Sequence, residues 1–218
     1  MGDGLKRGLK SDLTSGRSGR SPLGALHTQL RHEGESGGAF AAVVLGGAEH
    51  PFSLAAWGRS ENVEEGATLP AHPSDFSLLV DLWLVDGSHR WGLHAPFTPN
   101  ESRWHLALLE IEPHASLTMR VCTLFRRRRG RAWFGAAGPR LLPPSAVLHD
   151  FSPAQKCAWL REVGFWEHAG GSLHRQPQQR GGAASDAERL AGAAAALQLL
   201  TPSVRTAVSP RDVIQCFL

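Results

Sequence analysis

The sequence predicts a mainly β protein that ends in helices, an α+β chain. Seven or eight short apolar runs recur between residues 39 and 149 at spacings of about ten residues, and several alternate apolar with polar side chains. From Ser152 onward the pattern changes to a helical period. Short connections favour antiparallel pairing, since a parallel crossover needs about a dozen residues or more. Because a closed barrel leaves no strand edge unprotected, these strands predict an antiparallel bent barrel, and a β-sandwich is the alternative.

The first elements are predicted from local composition. Residues 23–31 predict a short helix, and residues 39–45, an uncharged apolar run between glycines, predict a buried strand. Residues 52–57 predict a second, weaker strand. Residues 60–74 are polar and aperiodic, so we expect a loop there.

The clearest strand lies at residues 76–84, where Phe76, Leu78, Val80 and Leu82 fall on one face. Asp86-Gly87 follows directly and predicts a tight turn into the next strand. By the same alternation, further strands are predicted at residues 90–97, 104–111, 117–125, 132–134 and 146–149.

A capped helix is predicted after these strands. Ser152 suits the N-cap, Pro153 the first helical position, and Gln155 completes a capping box. Three large side chains then recur at helical spacing and predict one buried stripe, which either plugs the end of a hollow barrel or covers a sheet face: Trp159, Val163 and Trp166. Gly170-Gly171 is expected to end the helix.

The domain organisation follows from these elements. Residues 1–22 are basic and rich in Ser and Gly, so we expect a disordered arm. Residues 30–170 form the predicted β-rich domain, and residues 171–184 a polar linker. Residues 185–218 form a C-terminal helical segment that begins with a second capping box, Ser185 with Glu188.

Composition limits the cellular setting. The net charge is only +3, so a basic function must be local to one segment. The three cysteines, Cys122, Cys157 and Cys216, have no metal-ligand spacing and predict no disulfide framework, which favours a reducing compartment. We therefore expect a cytoplasmic protein, with a peripheral membrane or nuclear location as alternatives.

The densest charge on the chain is the predicted binding site. It consists of five arginines followed by an aromatic side chain, listed as Arg126, Arg127, Arg128, Arg129, Arg131 and Trp133. Guanidinium groups bind phosphates bidentately, so anionic membrane lipid is one predicted partner and nucleic acid a less favoured one. A hairpin whose arginines pair with nearby acids is the structural alternative.

No catalytic, metal or cofactor motif is present. His89, His105 and the other histidines of the strand region lack metal-ligand spacing. Asp86, Ser88 and His89 share only the composition of a catalytic triad, without a nucleophile elbow. The sequence therefore predicts a non-enzymatic interaction or adaptor module that binds a protein partner, without cofactor or metal.

The strands followed by Ser152, six residues, Trp159-Leu-x-x-Val163 resemble a pleckstrin-homology (PH) domain over about residues 30–168. That resemblance implies a seven-stranded bent barrel closed by the helix, and a signalling adaptor that binds phosphoinositide. A second resemblance competes with it. Residues 76–84 and 102–108 are similar to strands of laminin-G-like lectins, which implies a β-sandwich that binds carbohydrate or protein.

Overall fold

The computed structural model describes residues 17–20, 26–32, 34–65, 70–135, 139–174 and 185–216. The strands in this part of the chain are β1 (Arg17–Arg20), β2 (Leu26–Leu30), β3 (Ser36–Ala48), β4 (Phe52–Glu65), β5 (Phe76–Leu84), β6 (His89–Pro96), β7 (His105–Ile111), β8 (Ser116–Arg126), β9 (Arg128–Phe134) and β10 (Arg140–Leu142). The helices are α1 (Pro153–Glu162), α2 (Phe165–His174), α3 (Asp186–Leu197), α4 (Pro202–Ala207) and α5 (Pro210–Gln215).

The strands form two antiparallel sheets. Sheet A has the order β3-β8-β5-β6, and sheet B has the order β1-β2-β9-β4-β10 with β7 also paired to β4. The long strand β4 changes partners along its length. Its first half pairs with β7 as far as Gly58, and its second half, from Gly58, pairs with β9.

One hydrophobic core lies between the two sheets. Alternate residues of β5 (Leu78, Val80 and Leu82) are fully buried there, and Leu54 and Ala56 of β4 belong to the same cluster. Met119, Val121 and Phe125 of β8 belong to it as well. A period of two thus places the apolar face of each sheet against the other, which makes the β-rich part of the chain a sandwich.

The five helices cover the opposite face of sheet B. Ala55, Trp57 and Leu106 alternate with the sandwich core and belong to a second apolar cluster that contains residues from all the helices. The backbone N–H of Leu106 donates to the carbonyl of Leu199 at 2.8 Å. The architecture therefore has three layers, sheet A, sheet B and the helices, and sheet B is buried on both sides where the helices lie.

The expectation of a PH-like barrel was wrong. The strands divide into two facing sheets instead of one rolled sheet, and the sandwich alternative matches the observed pairing. Trp159 is buried, but in the layer between the helices and sheet B. Of the two roles predicted for its stripe, covering a sheet face is the observed one, because the outer face of sheet B is itself apolar.

Several local predictions also differ from the structure. Residues 26–30 form a strand, not a helix, because Leu26 and Leu30 pair with Phe134 and Gly130 of β9. Strand β4 runs to Glu65 through the predicted loop. Residues 145–149 form a 3₁₀ turn instead of a strand. Helix α2 continues through Gly170-Gly171 to His174.

The predicted strand at 39–45 lies within the edge strand β3 and is less buried than expected. Val43 and Leu45 pack against the sandwich core, whereas Val44 between them is 82% exposed. The predicted turn at Asp86-Gly87 joins β5 to β6, and Gly87 has the positive φ of +81° that such a turn requires.

A disulfide links two of the helices. Cys157 and Cys216 form a disulfide between α1 and the end of α5, contrary to the expectation of unpaired cysteines. In the predicted arm, Arg17–Arg20 form β1, and residues 1–16 and 21–22 lie outside the described residues. Residues 175–184 of the predicted linker also lie outside the described residues. The helices after residue 185 pack in one cluster with sheet B.

Candidate functional site

The outer face of sheet A carries a cluster of three aromatic side chains. The rings of Trp83 and Trp91 meet edge to face with centroids 5.0 Å apart, and the ring of His89 stacks on Trp91 at 5.1 Å. Trp91 is 58% exposed. A large, solvent-exposed aromatic ring held by two neighbours is typical of a surface that binds a ligand.

A buried carboxylate orients this cluster. Asp81 of β5 lies at a β-bulge, where the pairing with β6 shifts between Val80 and Leu82. Its Oδ1 accepts a hydrogen bond from the backbone N–H of Gly92 at 3.0 Å. Gly92 has φ +70°, a conformation that favours glycine. The bond holds the bulge, and the bulge determines the direction in which Trp91 projects.

The same carboxylate binds an arginine of the next strand. Asp81 Oδ2 accepts hydrogen bonds from Nε and Nη2 of Arg120, at 3.1 and 2.6 Å. The side chain of Arg120 is 50% exposed, whereas that of Asp81 is 5% exposed. A guanidinium carries about five N–H donors, so its remaining donors can bind ligand oxygens. Asp81 thus fixes an aromatic ring on one side and a hydrogen-bond donor on the other.

Beside Asp81 and Arg120, the outer face of sheet A has a row of apolar side chains. Phe40, Leu79 and Cys122 lie in one row across β3, β5 and β8, each partly buried. Burial raises the pKa of the Cys122 thiol, which keeps it protonated. The row beyond contains Ala42, Arg120 and Asp81, so polar and apolar strips lie side by side.

The predicted arginine site is divided among different surfaces. Arg126 Nε lies 3.0 Å from the buried Asp75 Oδ1, and Arg127, at the corner between the sheets with φ +54°, lies 3.9 Å from the same oxygen. Arg128 is buried, and Arg129 is opposite Glu64 in the strand register. Since alternate residues of a strand point to opposite faces, the run does not present one continuous basic patch.

Arg131 and Trp133 lie on the outer face of sheet B, beyond the helices. The guanidinium of Arg59 lies 4.5 Å from the ring centroid of Trp133, and the ring of His27 stacks on that indole at 4.9 Å. Burial lowers the pKa of His27, and the positive charges of Arg131 and Arg59 lower it further. Glu61 lies 3.6 Å from Arg131 and 3.8 Å from Arg59. Here the ring of Trp133 already has protein partners.

The residues that share the composition of a catalytic triad, Asp86, Ser88 and His89, lie close together in the β5–β6 hairpin. Ser88 Oγ donates to Asp86 at 2.6 Å, while His89 stacks on Trp91, so these three residues are not arranged as a triad. Within the described ranges, no group of three or more His, Cys, Asp or Glu side chains could hold a metal ion. No helix in the same ranges is long and apolar enough to cross a membrane.

Neither a scan against protein-family models nor a search of curated proteins finds a match for this chain. Solved structures show a distant likeness. The enzymatically active domain of bacteriophage CBA120 tailspike protein 4 matches with TM-score 0.41 and 8% identity, over 61% of this chain and 18% of that one. A CBM4 structure matches with TM-score 0.39 and 8% identity, over 61% and 81%. The carbohydrate-binding module TmCBM61, in complex with β-1,4-galactotriose, matches with TM-score 0.40 and 11% identity, over 63% and 88%.

None of these three structures is a PH domain, and the sandwich assignment rests on the strand pairing described above. The expected roles of a PH-like domain, in signalling, phosphoinositide binding and membrane association, are wrong, because the fold that implied them is absent. A protein partner and ligand binding by the arginine run stay predictions.

Sequence reasoning missed the residues that form the cluster on sheet A. Asp81 and Arg120 are 39 residues apart, and only the register of β5 with β8 brings them together. One signal was available. Two tryptophans, Trp83 and Trp91, flank the predicted Asp86-Gly87 turn, so a hairpin with nearly equal arms places them close together.

Proposed function

We propose that this chain is a carbohydrate-binding module whose ligand lies on the outer face of sheet A, over Trp91 and beside Arg120. The observation that carries the proposal is the exposed Trp91 ring, held by Trp83 and His89 next to a half-exposed guanidinium. Of the two ligand classes that a lectin-like sandwich implies, carbohydrate and protein, this combination favours carbohydrate.

The chemistry of a pyranose ring fits these groups. One face of such a ring presents C–H groups, which carry partial positive charge and pack on the negative face of an indole. Its hydroxyl groups are hydrogen-bond acceptors and donors, and the remaining N–H groups of Arg120 can donate to them. Because Asp81 holds both Arg120 and the bulge at Gly92, the two contacts have a fixed geometry before the ligand arrives.

The aromatic region around Trp133, which is only partly exposed, supports this choice by contrast. Trp133 on sheet B has Arg59 over its ring and His27 stacked on it, so a sugar would have to displace a protein contact. Trp91 has only one stacking partner among the described residues, His89, and retains more than half of its surface in solvent.

Binding of the intact chain to an array of neutral and acidic oligosaccharides tests the proposal, followed by calorimetric titration of the best-bound one. We expect Trp91→Ala to weaken binding by about fivefold or more, since stacking on one aromatic ring contributes on the order of 1 kcal/mol.

The matched control is Trp133→Ala, which removes the same side chain from sheet B. It should bind the oligosaccharide with the affinity of the wild type. If no oligosaccharide on the array binds the wild type better than Trp91→Ala, or if both variants lose affinity equally, the proposal is wrong.

A further inference from the structure

Strand β3 forms an edge of sheet A, and its residues 39–44 lack the usual protection of edge strands. Its pairing with β8 is irregular only after Val44, where Gly46 and Gly47 have positive φ. Within the described ranges, β8 is its only strand partner in the sheet. Residues 36–48 carry no charge and no proline, and Val44 on the outer face is 82% exposed. A long, uncharged, apolar edge strand is a template for pairing with another strand.

The opposite edge of the same sheet is protected. Strand β6 contains Arg90, ends at Pro96 and is distorted by the bulge at Gly92. A charged side chain, a missing N–H group and a bulge each hinder the addition of a strand. Sheet A therefore has one edge that is protected along β6 and one that is open to pairing along the regular part of β3, residues 39–44.

The exposed edges of sheet B are also managed. Strands β1 and β10 have only four and three residues, and the backbone N–H of Leu106 in β7 donates to Leu199 of the helical layer. Short strands and covered edges are two further ways in which proteins prevent edge-to-edge association. Among the described edge strands of the two sheets, β3 is therefore the best suited to pair with another strand.

We infer that β3 is a self-association edge, where a second copy of this chain pairs its own β3 in antiparallel orientation about a two-fold axis. A two-fold axis places the same surface on both subunits, so any charge on the strand would face a like charge nearby. The uncharged run of residues 36–48 avoids this repulsion. The two four-stranded sheets then become one continuous sheet of eight strands.

A dimer formed through β3 would carry two copies of the aromatic cluster on one surface. Trp83, Thr118 and Val44 lie in one row across sheet A, so its outer face continues across the new interface. Strand β6 is then the outermost strand at both ends. With seven strand spacings between them, the two aromatic clusters would lie about 34 Å apart on the same side. Two such sites can bind one multivalent surface together.

Light scattering coupled to size-exclusion chromatography tests the inference on the intact chain over a dilution series. We expect wild type to show twice the monomer mass at high concentration. Val44→Lys and Val44→Glu should both shift it to the monomer mass, since each places like charges across the axis. Leu141→Lys, which charges an exposed position of β10 on the other sheet, is the matched control and should remain dimeric.

Hydrogen exchange of the amides of residues 39–45 provides a second readout that does not depend on any variant. Their protection should increase with protein concentration in the wild type. The inference fails if the wild type is monomeric at every concentration, if a folded Val44 variant is still dimeric, or if the protection is independent of concentration. None of these results bears on binding of a sugar by Trp91, which one monomer can test.

Discussion

The indole Nε1 of Trp57 donates a hydrogen bond of 2.5 Å to the backbone carbonyl of Val163. Both residues are buried, one on the outer face of sheet B and the other at the end of α1. The bond therefore joins the helical layer to the sandwich. It also satisfies a carbonyl near Gly164, whose φ of +72° marks the break between α1 and α2.

Replacing this indole with a smaller ring tests how firmly the two layers are joined. Trp57→Phe removes the donor and leaves the Val163 carbonyl buried without its partner, so we expect the free energy of unfolding to fall by about 1–3 kcal/mol. Urea denaturation measures the change. Trp91→Phe, at an exposed position, should change stability by less than about 0.5 kcal/mol. Equal losses in the two variants would contradict the assigned role of Trp57.

Asp81 orients Arg120 and the bulge at Gly92, so replacing it tests how much the orientation of the candidate site contributes to ligand binding. Asp81→Asn removes the charge that holds Arg120, and we expect both a stability loss of about 1–2 kcal/mol and weaker sugar binding. Asp86→Asn is the control, because Asp86 lies exposed in the β5–β6 turn and bonds only to Ser88 among the described residues. Titration with the oligosaccharide that the wild type binds should show loss of affinity in the Asp81 variant alone.

Features that depend on neighbouring residues could be predicted from the sequence. The structure contains a capping box at Ser152 with Gln155 and another at Ser185 with Glu188, each made within four residues. The mainly antiparallel β architecture was also predicted correctly, because alternation at residues 76–84 depends only on which face is buried.

Features that depend on long-range pairing could not be predicted in this way. A barrel and a sandwich have the same local alternation, and they differ in whether the edge strands of the two sheets pair with each other, which none of the described strands does here. Residues 26–30 form a strand that pairs with β9, about a hundred positions later in the chain. For the same reason the arginine run was predicted as one patch, whereas the corner at Arg127 and the strand alternation divide it.

A partly buried histidine makes the stability of this fold depend on pH. His168 of α2 packs against Trp57 and Trp104, with ring centroids 4.6 Å from each. Burial lowers the pKa of His168 from 6.5 to about 4. Between these two values the unfolded chain binds a proton that the folded chain does not, so the stability contributed by neutral His168 is complete above pH 6.5 and is lost as the pH falls toward 4.

The size of this effect follows from the shift in pKa, reduced for the part of the ring that is not fully buried. We expect the wild type to lose about 2–3 kcal/mol of unfolding free energy between pH 6.5 and 4 through this residue. His168→Gln should remove that part of the pH dependence, whereas His89→Gln, at an exposed position, should preserve it. Urea denaturation of the three proteins across this pH range measures the difference. If the unfolding free energy of all three proteins depends on pH in the same way, His168 is not the group that titrates. Its packing against Trp57 and Trp104 would then not lower its affinity for a proton.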